Sequence, residues 1–177
     1  MIDAICRGMP REVEVGGVAV PIRTGWRAHA LVDAGELSGA EAMWALFARD
    51  GALPEAVSAD PEGAMRAAGE WHGRAWDNAR HGRQRQGQQA RTFDWRADAD
   101  LVVADFQALY GIDLTDPATQ VHWWRMVALL CGAMRSEGSL LCQAVSARSP
   151  MPAGVRGRER DRLRRLADAW ALPPTRE

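Results

Sequence analysis

Residues 93–130 read FDWRADADLVVADFQALYGIDLTDPATQVHWWRMVALL, and this stretch decides the fold class. Trp95, Ala99, Val102, Phe106 and Leu109 step by four, three, four and three, the spacing that gathers side chains on one side of an α-helix. Asp94 is a candidate cap for that helix, and Gly111 suits the left-handed position just past its end. Thr115-Asp116-Pro117 reads as a new helix start, because proline loses nothing in a first turn. Val121, Trp123, Trp124, Met126, Val127, Leu129 and Leu130 then make a helix that is apolar nearly all round. Such a helix is central and buried, or it offers a second face to a partner. Neighbouring helical positions are about 100° apart, so Trp123 and Trp124 point in different directions. One of them belongs to the core, and the other is core or interface.

Toward the N-terminus, residues 11–22 read REVEVGGVAVPI. Valine alternates with glutamate, Gly16-Gly17 can adopt the positive φ angles of a tight turn, and Val18-Ala19-Val20 returns, which predicts a short β-hairpin. An isolated hairpin is marginal in water, so this one should pack on helices. Thr24 can cap a helix through about Ala34, and Ser38-Gly39-Ala40-Glu41 has the pattern of a capping box ahead of Met43, Trp44, Leu46 and Phe47. Asp60-Pro61 starts another helix, expected to run to about Asn78 with Met65, Ala68, His72, Ala75 and Trp76 as its apolar set. Residues 81–89 contain nothing apolar and read as a flexible connector near 80–92. Toward the C-terminus, a short helix is predicted over Leu140 to Ala147. A last one runs from about Gly157 to Ala171, with Leu163, Leu166 and Trp170 as its stripe and Pro173-Pro174 beyond it. The sum is a mainly α protein, about six to seven helices with a small N-terminal β-hairpin. The connector could divide two lobes, but a single domain over 1–177 is the simpler reading.

The 177 residues are 47% hydrophobic and 25% charged, a globular composition. No run approaches the roughly 18 apolar residues of a membrane span, and the N-terminus lacks the basic and apolar regions of a secretory signal. A soluble intracellular protein, without a membrane partner, is expected. The net charge of -1 gives the molecule no strong field for nucleic acid. All 22 basic residues are arginine. The run from Arg148 to Arg165 reads either as a solvated face, with Asp161 and Arg165 spaced for an ion pair, or as a phosphate-binding surface. The interleaved Glu159, Asp161 and Asp168 favour the former. Three cysteines, Cys6, Cys131 and Cys142, read as reduced thiols, the latter two set among leucines.

Nothing in the sequence assembles a reaction centre. His29, His72, His81 and His122 are scattered, no ligand spacing for zinc is present, and without lysine the usual P-loop is excluded. No Gly-x-Ser-x-Gly elbow occurs. Asp94, Asp98, Asp100 and Asp105 read as helix-start or solvent-face residues. The expectation is a non-enzymatic protein with no catalytic residues, cofactor or metal. Eight tryptophans are core if buried and interface anchors if exposed.

The block Phe93–Phe106, then Tyr110-Gly111-Ile112-Asp113-Leu114, then His122-Trp123-Trp124 through Leu130, resembles the bacteriophage gene-product-15 family, read as tail assembly chaperones of long-tailed, siphovirus-type phages. The hairpin VEVGGVAVPIRTGWR and the basic helix ending Trp170-Ala171-Leu172-Pro173 are also similar to that family, so the likeness is nearly full length. The chain departs from the family pattern in having no Lys and one Tyr, and residues 136–157 fit it only loosely. The resemblance implies a chaperone of the host cytoplasm, absent from the mature virion, that coats the tape measure protein, helps recruit the major tail protein and can self-associate. Tyr110, Trp123, Trp124 and Met126 are the candidate partner contacts. The alternative is a nucleic-acid-binding regulator that uses the C-terminal Arg-rich helix.

Overall fold

Alternation along the hairpin sorts its residues between water and core. In the computed structural model, which describes residues 6–80 and 91–174, strands β1 (Glu12–Val15) and β2 (Val18–Pro21) pair antiparallel from Glu12 opposite Pro21 to Val15 opposite Val18. Gly16 and Gly17 take φ of 56° and 80°, both positive as the two-residue turn requires. Val13, Val15, Val20 and Ile22 are buried while Glu12 and Glu14 face solvent, and β1 packs on helix α4 (Pro61–Arg80).

Eight helices are described. Besides α4 they are α1 (Trp26–Asp33), α2 (Gly39–Phe47), α3 (Glu55–Ala59), α5 (Ala99–Tyr110), α6 (Trp123–Ala133), α7 (Leu140–Arg148) and α8 (Gly157–Ala169). The mainly α class with a small hairpin holds. The count exceeds six to seven because the single turn of α3 carries one buried residue, Val57, too little to make a visible period. The chain forms two compact units, Met1–His81 with Gln120–Leu129, and Gly82–Thr119 with Leu130–Glu177. The expected connector over 81–89 lies outside the described residues.

In the first unit Thr24 does not cap α1. Gly25 holds the cap position without a side-chain bond, and the Thr24 carbonyl instead accepts from the Trp123 N–H at 2.7 Å. Trp26 N–H in turn donates to the Val121 carbonyl at 3.0 Å, so residues 24–26 and 121–123 form a short backbone bridge centred on Gly25 and His122. That bridge also explains why no helix starts at Pro117. Val121 and His122 stay extended to pair, and the turn before them is held locally. Asp113 accepts from Thr115, and Asp116 accepts from the Ala118 N–H at 2.8 Å. Helix α6 therefore begins at Trp123. Ser38 stands at the cap position of α2 as expected, but its side chain makes no capping bond.

Helix α4 buries Ala64, Ala68, Trp71, Ala75 and Ala79. Its inward face is rotated from the predicted set, with Met65, His72 and Trp76 at its flank. Asp60 caps it, accepting from the Gly63 N–H at 2.9 Å. Small residues on that face let the hairpin and α2 approach closely.

The second unit is built on α5 and α7. Residues 95–98 form a turn held by the Asp94 carboxylate, which accepts from the Ala97 N–H at 2.8 Å, and α5 starts only at Ala99. Gly111 ends it with φ of 64°. The buried side of α5 is Asp98, Val102, Asp105 and Phe106, while Leu109 is exposed. Both buried aspartates reach α7, and they do so at opposite ends of it.

Candidate functional site

Helix α6 is apolar because it is enclosed. Arg125 is its one exposed residue, and Trp123, Met126, Val127 and Leu130 are fully buried. Two of the four candidate contacts, Trp123 and Met126, are thus sealed in the core. Trp123 fills the centre of an aromatic cluster, stacked on His72 (ring centroids 4.6 Å apart) and His29 (5.4 Å), with Trp76 edge-on. Trp124 is half-buried, its indole N–H donating to the Trp71 carbonyl at 3.2 Å. Tyr110 belongs to the other unit. It is half-buried, edge-on to Phe106, with its hydroxyl against Gly132. Trp123 and Met126, with no exposed surface, cannot touch a partner in this conformation. The periodicity that singled out Trp123 and Met126 reported enclosure, since a helix packed on all sides and a helix offering a free side share the same composition.

The histidines are not scattered. His29 and His72 meet within the first unit, with His122 on the other side of Trp71, and His81 lies outside the described residues. His29 is fully buried between Trp71 and Trp123. Its Nε2 stands 2.6 Å from the Arg23 carbonyl, which can only accept, so this nitrogen carries the proton. Its Nδ1 is 3.4 Å from Nδ1 of His72, whose Nε2 reaches Asp33 at 3.0 Å. Burial pushes the His29 pKa down to about 4, against the opposing pull of the Arg23 carbonyl. His122 donates from Nε2 to the Pro10 carbonyl at 3.0 Å and accepts the Trp124 N–H at Nδ1, capping α6 with a neutral imidazole. Burial lowers its pKa too, the Pro10 bond opposing. Among the described residues no three His, Cys, Asp or Glu side chains are placed to hold one metal ion. These groups are spent on packing and on fixing backbone.

In the second unit two aspartates read as helix-start or solvent-face residues are the organising polar groups; Asp98 does stand at the start of α5, but both are buried. Asp98 receives both terminal nitrogens of Arg148, and Asp105 accepts from Ser139 Oγ at 2.6 Å and from the N–H groups of Leu140 and Leu141. The signal was present in the sequence. Asp98, Val102 and Asp105 step by four and three, so both carboxylates share the side of an apolar residue. Beside this frame lie exposed apolar residues. Leu109, one turn on from Asp105, is 42% exposed, and Leu140, whose N–H Asp105 holds, is 37% exposed. In the first unit Leu31 on α1, Trp44 on α2 and Val18 on the hairpin are exposed. Tyr110 has its pKa raised by burial, with the charge of Asp105 adding.

Cys6 is exposed, Cys131 buried and Cys142 half-buried, all as free thiols. Among the described residues no helix is long and apolar enough to cross a membrane.

Fold and surfaces together define a mainly helical protein in which buried polar side chains lock helices and α1, α5, α7 and α8 each leave one leucine exposed. A family model described as Bacteriophage Gp15 protein matches residues 70–172, more than half of the chain, and the chain belongs to that phage family. The matched region holds α5 to α8 and most of α4, and the hairpin precedes it. No curated protein and no solved structure matched the chain.

Proposed function

We propose that this phage protein is a tail assembly chaperone of siphovirus type, acting without catalysis on the tape measure protein and helping to bring the major tail protein to it. Family membership supports the phage context. The observation that carries the binding role is the pair Leu109 and Leu140, exposed at one end of the α5–α7 pair, where Asp105 holds the two helices together. Helical clients dock apolar side chains at three- and four-residue spacing into such surfaces. Trp123 and Met126 serve this reading as the rigid core behind Trp124, and contact with the client falls to exposed side chains. Binding of this kind is moderate, as tail subunits must later displace the chaperone. The test is co-expression with the tape measure protein encoded by the same phage. The expected result is that the tape measure protein becomes soluble and co-purifies. An insoluble tape measure protein with none retained by the chain would refute the proposal.

A further inference from the structure

Among the described helices α8 is the most fully solvated of the long ones. None of its residues is buried, and every position from 156 to 162 is exposed. A polar helix of this kind needs a second reason to persist in water. Its C-terminal end is anchored. The Trp170 carbonyl accepts from Arg148 Nε at 2.6 Å and the Pro173 carbonyl from Arg91 at 3.4 Å, while Leu163, Ala167 and Trp170 are half-buried on the side that meets α7. The rest of the helix stands out.

The exposed side is ordered. Arg158, Arg162 and Arg165 step by four and three and so form one stripe. Leu166 and Ala169, four residues on from Arg162 and Arg165, continue it, with Leu166 41% exposed. Residues 156–165 carry six arginines against Glu159 and Asp161, in a chain whose net charge is -1. We propose that this stripe docks an acidic amphipathic helix of a partner protein. The partner's carboxylates, at matching four- and three-residue spacing, would meet the guanidinium forks, and its apolar residues would cover Leu166 and Ala169.

Charge complementarity selects the class of partner. Arginine pairs with carboxylates through two parallel N–H bonds, and a helix repeating acids at this spacing presents them in register. A nucleic acid is disfavoured. Glu159, Asp161 and Asp168, exposed on the same helix, break the positive charge into short stretches, where a phosphate backbone presents an unbroken row of charge, and Glu159 already pairs with Arg162 at 3.4 Å. A leucine and an alanine within the stripe offer apolar contact that a phosphate backbone does not use. The proposal deepens the chaperone reading and rests on it for the client's identity, though not for the chemistry of the surface.

The test is fluorescence anisotropy with the full chain and a labelled designed peptide, a leucine-striped helix flanked by glutamates. A composition-matched scrambled peptide and a DNA duplex are titrated in parallel. R158E/R162E/R165E is the variant. With no buried residue on α8 it should keep its fold by circular dichroism, with a small drop in melting temperature from losing exposed pairs such as Arg162 with Glu159. The expected result is peptide binding that weakens at least about tenfold in the variant and falls with salt, with weaker binding of the scramble. Equal binding by the variant, no binding by the wild type, or tighter binding of DNA than of peptide would overturn the proposal. Tape measure protein that co-purifies equally with wild type and variant would overturn it while leaving the chaperone reading intact. Peptide binding without tape measure binding would remove the chaperone reading alone.

Discussion

Arg148 closes its two terminal nitrogens on the two carboxylate oxygens of Asp98, at 2.7 and 2.8 Å, joining the last residue of α7 to the cap position of α5. The pair is nearly sealed from water, with side chains 8% and 1% exposed. Arg148 also holds the Thr92 carbonyl at 3.1 Å and the Trp170 carbonyl, so one side chain gathers three segments of the second unit.

Removing one partner of such a pair leaves a buried charge unmatched, which costs about 3–5 kcal/mol. Asp98→Ala and Arg148→Ala should each lower stability in urea denaturation by about that amount. The double variant should lose clearly less than the sum, because the two changes remove one shared interaction. Additive losses would show that the pair is not coupled.

Asp105 locks the other end of the same two helices. Asp105→Ala strands a buried hydroxyl and two N–H groups at the start of α7, a loss of about 2–4 kcal/mol. Asp105→Asn retains one acceptor oxygen and should cost roughly half as much. The comparison is read from denaturation midpoints, and no loss in either variant would mean that the carboxylate does not hold the start of α7.

The histidine cluster makes stability depend on pH in a defined window. Unfolded, His29 titrates near 6.5, and folded, at about 4. Above 6.5 the imidazole is neutral in both states and stability is full. Between 6.5 and 4 only the unfolded chain takes up the proton, so stability falls as the medium is acidified, by about 3 kcal/mol in all. His122, lowered in the same direction, adds to the slope. His29→Gln should be less stable at neutral pH but flatter across this window. Identical slopes in the two chains would contradict the assignment.

Two glycines are held by space. A Cβ at Gly132 would stand 2.8 Å from the Tyr110 hydroxyl, the far end of a rigid ring. Replacing glycine by alanine inside a helix ordinarily gains about 1 kcal/mol. Gly132→Ala should instead be destabilising in the native chain and regain the benefit in a Tyr110→Phe background. At Gly63 a Cβ would overlap the Asp60 carboxylate, so Gly63→Ala should lose the cap of α4 at a cost of about 1 kcal/mol. Thermal melts of the wild type, the three single variants and the Gly132→Ala/Tyr110→Phe double variant measure both.

Much of this architecture was legible because it rests on local chemistry. Val13, Val15 and the two turn glycines specify the hairpin by themselves, and Gly111 and Pro61 mark helix ends through backbone geometry alone. What was hidden depends on partners distant in sequence. Asp98 and Asp105 look like ordinary helix carboxylates until Arg148 and Ser139 arrive beside them. Thr24 looks like a cap until its carbonyl is claimed by Trp123. On α4, Trp71 and Trp76 are equally good core residues by type, and Trp71 goes inside because His29, His122 and Trp124, distant in sequence, gather around it. Trp123 and Met126 turned out to be buried for a related reason. Apolar pattern reports which residues leave water, not whether they leave it for this chain or for another.

The central claim is that exposed leucines beside a rigid helical frame hold the tape measure protein. The most direct measurement is co-purification of that protein with the wild type and with L109S/L140S, a variant that should stay folded by circular dichroism with a lowered melting temperature, because each side chain is more than a third exposed but not wholly so. The account predicts retention by the wild type and a loss of most of it in the variant. Undiminished retention by a folded L109S/L140S chain, or none by the wild type, would contradict it.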